Sequence, residues 1–127
     1  MGNNQVEKNN YTIELQSESG EIVVADEVVA VIAGLATMEV EGVASTAGSA
    51  TRELISKIGM KTLSKGVKVD ILDDVVTVAV TIVIKYGYKI IDVAEKIQEK
   101  VKVAIENMTG LTVADVNIRV AGLEVDN

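Results

Sequence analysis

The stretch from Val67 to Ile84 reads VKVDILDDVVTVAVTIVI, and its periodicity decides the fold. Val67, Val69 and Ile71 alternate with Lys68 and Asp70. Past Leu72-Asp73-Asp74-Val75, the residues Val76, Val78, Val80, Ile82 and Ile84 alternate with Thr77, Ala79, Thr81 and Val83. A period of two over β-branched side chains puts one set on each face of a pleated strand. Two such runs around Asp-Asp predict a β-hairpin, although Asp-Gly would suit its turn better. Lys85-Tyr86-Gly87-Tyr88 closes the second strand.

Downstream, the period changes. Ile90, Ala94, Ile97, Val101, Ala104 and Met108 recur at alternating intervals of four and three, and Val93 and Ile105 widen the stripe. This predicts an amphipathic helix from about Ile90 to Met108, packed on the strand Val76–Ile84. Glu95, Lys96, Gln98, Glu99, Lys100 and Lys102 form its solvent side. Gly110 ends it in a left-handed conformation. A last strand follows, with Val116, Ile118 and Val120 on one face and Asn117 and Arg119 on the other.

Upstream, Glu21-Ile22-Val23-Val24 reads as a short strand after Gly20, and Asp26 as the N-cap of a helix over Glu27–Glu39. That helix is apolar nearly all round: Val28, Val29, Val31, Ile32, Leu35, Ala36 and Met38. Covering one sheet face needs a stripe of only about 100°. Two readings account for the excess. Either the helix is wedged inside the protein's own core, with Ala30, Ala33 and Gly34 admitting a neighbouring backbone, or Val28, Val31, Ile32 and Leu35 form a self-association face.

Val40–Thr46 holds a turn and a short strand, and a weak helix is expected over Thr51–Ile58. Arg52, Lys57, Lys61 and Lys65, with Lys68 after them, reverse the sign of an otherwise acidic chain. The first four form a candidate patch for an acidic partner, against the plainer reading of a solvated loop. Residues 1–19 read as a polar tail with an edge strand at 11–15, residues 20–122 as one domain, and residues 123–127 as a short acidic tail. The order β-α-β-(short α)-β-β-α-β predicts an α/β class, an α+β sandwich. In it, one mixed or largely antiparallel sheet is covered by two long helices.

Composition narrows the chemistry. The chain has 127 residues, the length of one domain, and no cysteine or histidine. A thiolate nucleophile, a zinc site built on thiolates or imidazoles and a Ser-His-Asp triad are therefore excluded. The net charge of −7 argues against nucleic-acid binding, which rests on neutralising phosphates. The longest apolar runs, Val28–Met38 and Val75–Ile84, fall short of a membrane span, and the N-terminus lacks the apolar run of a secretory signal, so a cytoplasmic protein is expected. No phosphate-binding glycine loop is present: Leu63-Ser64-Lys65-Gly66 has the wrong order and leads into a strand. The carboxylate pairs Asp26-Glu27 and Asp73-Asp74 are better explained as helix start and turn than as acid–base catalysts. Tyr86 and Tyr88 flank Gly87 at a strand-to-helix corner, rimming either a core or a pocket. No enzyme activity, cofactor or metal is expected.

Several blocks together carry a resemblance. Gly20-Glu-Ile-Val-Val-Ala-Asp-Glu-Val-Val, Ile32-Ala-Gly-Leu-Ala and Val40-Glu-Gly-Val-Ala resemble the opening of the alkaline shock protein 23 family, the envelope stress response proteins of Gram-positive bacteria. Lys65-Gly-Val-Lys-Val-Asp, Tyr86-Gly, Val93-Ala-Glu-Lys-Ile-Gln-Glu-Lys-Val and Met108-Thr-Gly-Leu-Thr-Val-Ala-Asp-Val-Asn-Ile resemble its later blocks in the same order. The resemblance spans about residues 20–122. It implies a small cytoplasmic, non-enzymatic protein of envelope stress or lipid homeostasis, working by protein–protein interaction. It further implies a homo-oligomer, gathered at the membrane by a separate membrane-anchoring protein and not by insertion of its own. From composition and length alone, a small nucleic-acid-binding module or a small-molecule-binding domain are the alternatives.

Overall fold

The computed structural model describes residues 12–46 and 64–125 of the chain. The strand at the centre of the reading, β5 (Val75–Lys85), is also the centre of the molecule. Val76, Val78, Val80, Ile82 and Ile84 are all fully buried on one of its faces. A two-residue turn joins it to β4 (Val67–Leu72), which runs antiparallel with Leu72 opposite Val75. Asp73 and Asp74 both adopt left-handed backbone, with φ of 53° and 68°. That is the turn whose twist matches a hairpin, and aspartate is among the few non-glycine residues that enter this region readily.

The other long edge of β5 carries β6 (Thr112–Glu124), which runs parallel to it from Val75 to Lys85. Parallel neighbours need a crossover. Here it is α2 (Ile90–Thr109), whose end is the left-handed Gly110 with φ 79°. β3 (Val43–Thr46) pairs antiparallel with the C-terminal half of β5, Thr46 opposite Ile82, while β4 begins with Val67 opposite Val80. Because β6 occupies one edge throughout, β3 and β4 lie end to end along the other. The sheet is mixed, as its sequence predicts.

Two features differ from the expectation. The first two strands do not join this sheet. β1 (Thr12–Ser17) and β2 (Gly20–Ala25) form their own antiparallel hairpin, with Ile13 opposite Val24. Ile13 is buried in the core while Ile22 and Val23 are exposed, so only part of this hairpin is packed. β6 is also longer than the run Val116–Val120, and pairs Leu123 with Ile84 and Glu124 with Lys85. The short helix expected over Thr51–Ile58 lies outside the described residues.

The helices cover the buried face. α1 (Asp26–Met38) packs against β4, β3 and α2, and α2 lies nearest to α1 and β6, not to β5 as its stripe suggests. Asp26 is the first residue of α1 and not its cap: Ala25 precedes it in extended conformation, without a side-chain hydrogen bond. The acidic pair Asp26-Glu27 instead meets the positive end of the helix dipole. The turn after α1 is fixed by Gly42, whose φ is +102°. A Cβ there would lie 2.9 Å from both Tyr88 Cδ2 and Val93 Cγ2. Glycine is required twice over, for its backbone and for the close approach of the corner between β5 and α2.

Candidate interaction surface

The four residues proposed as a self-association face do not share one environment. Ile32 is buried in the core, Val31 and Leu35 are half-buried against it, and Val28 is 47% exposed. The face is therefore corrected to a narrow strip: Ile32 turns inward, on the side of the helix that carries the fully buried Val29 three residues before it. Val28 and Val31, with Ala25 and Glu27, line a shallow depression of about 340 Å³. Of the basic patch, Lys65 is exposed, and Arg52, Lys57 and Lys61 lie outside the described residues.

The carboxylate pairs occupy structural positions. Asp26-Glu27 opens α1, and the exposed Asp73-Asp74 forms the β4–β5 turn. Among the described residues, no group of three carboxylates is arranged to hold a metal ion. No helix of the described residues is long and apolar enough to cross a membrane.

A groove of about 580 Å³ runs between the end of α1 and the middle of α2. Ala36, Val40, Val103 and Ala104 give it an apolar floor, and charged side chains rim it. Across it, Lys100 Nζ donates to Glu39 Oε1 at 3.3 Å. Both partners are exposed, so the pair contributes at most about 1 kcal/mol. On the same turn, the Tyr88 hydroxyl donates to Glu41 Oε2 at 3.2 Å. That hydrogen bond, with the negative charge behind it, holds the Tyr88 phenol above its ordinary pKa.

Among the described residues, several exposed apolar side chains lie at the end of the molecule where β5, α2 and β6 meet. Tyr86 is 69% exposed, Ile91 57%, Leu123 52% and Val125 61%, with Ile90 beside them. Their shared location follows from pairing: Tyr86 N–H donates to the Glu124 carbonyl at 2.8 Å, and Leu123 lies opposite Ile84. Sequence reasoning counted Ile90 in the core stripe of α2 and missed the cluster. The signal was Ile91, an isoleucine off the stripe in the first turn, three residues after Tyr88. The buried set of α2 is Val93, Ile97, Val101 and Ile105, so the stripe is rotated and Ile90 and Met108 are left outside it.

The sequence profile of the alkaline shock protein 23 family, described as having a cell envelope-related function, matches residues 14–125. Protein YqhY of Bacillus subtilis is 36% identical over 122 residues, covering 94% of this chain and 90% of the relative. Protein YloU of the same organism is 34% identical over 118 residues, covering 91% of this chain and 98% of the relative. Among solved structures, a MamM CTD variant aligns with TM-score 0.49 and 15% identity, over 78% of this chain and 96% of that one.

Proposed function

The chain belongs to the alkaline shock protein 23 family, whose function is related to the cell envelope, and from that premise we propose that it is a non-enzymatic interaction protein of the envelope stress response or of lipid homeostasis. It acts in the cytoplasm through self-association and through protein partners, one of them anchored in the membrane. The observation that carries this reading is the apolar end formed by Tyr86, Ile90, Ile91, Leu123 and Val125. Exposed apolar residues scattered singly are ordinary, but several gathered at one end mark a docking surface. Tyrosine suits such a place because its ring contributes apolar area while its hydroxyl stays in water.

The test is photo-crosslinking in living cells from a probe at position 91, under envelope stress, alongside rescue of a deletion strain. A crosslink to an envelope protein is expected, Leu123→Glu should abolish it, and Ile91→Glu in the chain without the probe should fail to rescue. Full rescue by Ile91→Glu together with Leu123→Glu, in a folded variant, overturns the reading.

A further inference from the structure

We propose that two copies of this chain join through the outer edge of β6, in antiparallel register about Asn117, so that Asp115 of each copy meets Arg119 of the other. The proposal rests on the self-association reading above and names its surface.

β6 is thirteen residues long, and its pairing with β5 occupies one edge only. The other edge presents backbone N–H and C=O groups that ask for partners. Side chains of α2 serve its beginning: Val113 N–H donates to Glu106 Oε2 at 2.9 Å, and Gln98 Nε2 donates to the Val116 carbonyl at 3.0 Å. Among the described residues, no strand or side chain serves the edge beyond Val116. Irregularities in the ladder beside Val76/Thr77 and Ile82/Val83 bound a regular segment, Asp115 to Val120.

The sequence of that segment is matched to its own reverse. Asp115, Asn117 and Arg119 are exposed and lie on one face, while Val116 is buried and Ile118 and Val120 half-buried on the other. A two-fold axis through the sheet keeps each face on its own side, so only registers that pair odd with odd positions are open. The register centred on Asn117 sets Asp115 opposite Arg119 twice and Val116 opposite Ile118 twice. The outward backbone groups of β6 belong to Val116 and Ile118, as the Gln98 contact shows. They form the hydrogen-bonded pairs, so the charged residues fall in non-hydrogen-bonded pairs. There the Cα atoms approach to about 4.5 Å, the spacing at which opposite charges attract most. Gln98 gives up the Val116 carbonyl to a backbone N–H, an exchange of one neutral hydrogen bond for another. The register centred on Ile118 would instead set Asp115 against Ala121 and leave Arg119 opposite Asn117.

Sedimentation equilibrium tests this on the full chain. The wild type is expected to approach twice 13.5 kDa as concentration rises, and less readily at high salt. Arg119→Asp and Asp115→Arg should each remain monomeric, and the two together should restore the dimer. The chain has no cysteine, so Asn117→Cys provides a geometric check. Mild oxidation should link it to its copy across the axis, while Ala79→Cys, exposed on the same sheet face of β5, should stay unlinked. A wild type that is monomeric throughout overturns the dimer together with self-association, and leaves the apolar-end reading to its own test. A dimer that survives both single charge changes overturns this edge alone.

Discussion

The two helices of the described residues solve opposite problems. α1 has apolar side chains on nearly every side and buries eight of its thirteen residues. α2 is longer, at twenty residues, and buries only Val93, Ile97, Val101 and Ile105, a single line with a spacing of four. The difference is one of position. α1 is enclosed between β3, β4 and α2, whereas α2 closes the outside over β6. Small residues make the enclosure possible: Ala30, Ala33, Gly34 and Ala36 are buried, and the Thr37 hydroxyl is satisfied within the helix by the Ala33 carbonyl at 2.7 Å. Apolar excess on a helix is thus first a sign of a central place in the core, and only its remainder, here Val28 and part of Val31 and Leu35, is surface.

The strongest challenge to this contrast is Ile97→Ala in α2. It removes a fully buried side chain from the single line that attaches the helix, and should lower stability by about 2–5 kcal/mol in denaturant unfolding. Next comes Ala33→Leu in α1. The position is fully buried, so the added methylenes should cost about 1–3 kcal/mol, whereas a helix with a free side there would accept them without loss.

Much of this was legible in the sequence because a strict period leaves few arrangements open. The alternation over Val76–Ile84 placed β5, the left-handed Gly110 ended α2, and Asp73-Asp74 gave a turn. What was not legible depended on contacts distant in sequence. Nothing local in Glu21–Val24 says that its strand pairs with Thr12–Ser17 and not with the main sheet. Nothing local in α1 says which of its apolar sides meets α2, so the sequence alone does not separate the buried Ile32 from the exposed Val28. The apolar end was hidden for the same reason: Leu123 and Val125 reach the end of the molecule that holds Tyr86 and Ile91 only once β6 returns beside β5.

Smaller effects refine the contrast from the solvent side. Glu99→Ala, on the exposed face of α2, should change stability by less than about 0.5 kcal/mol, as surface substitutions usually do. If it matches Ile97→Ala, the orientation of α2 is wrong. The subtlest effect is at Tyr88, where the two helices' flanking turns meet. Its phenol is held above its ordinary pKa by Glu41, so the protonated form is favoured in the folded state. The contribution is complete at neutral pH and is lost as pH rises through the raised value. Ultraviolet titration of a chain with Tyr88 as its only tyrosine should show a midpoint that falls on Glu41→Gln.

The end-to-end placement of β3 and β4 makes them, in effect, a single strand with an interruption. Thr46 faces Ile82 and Gly66 meets Thr81, its carbonyl accepting the Thr81 N–H at 2.9 Å. The chain therefore leaves the sheet edge and rejoins it within about 7 Å, two residues' rise along a strand. Closure entropy grows slowly with length, about 0.6 kcal/mol per doubling of a flexible connection, so a gap this short sets little limit on the length of chain that joins its two sides. In sequence, Arg52, Lys57 and Lys61 fall between Thr46 and Gly66. One edge of β5 is thus filled from two separate parts of the chain, as a roof course is laid from two tiles, while β6 alone fills the other.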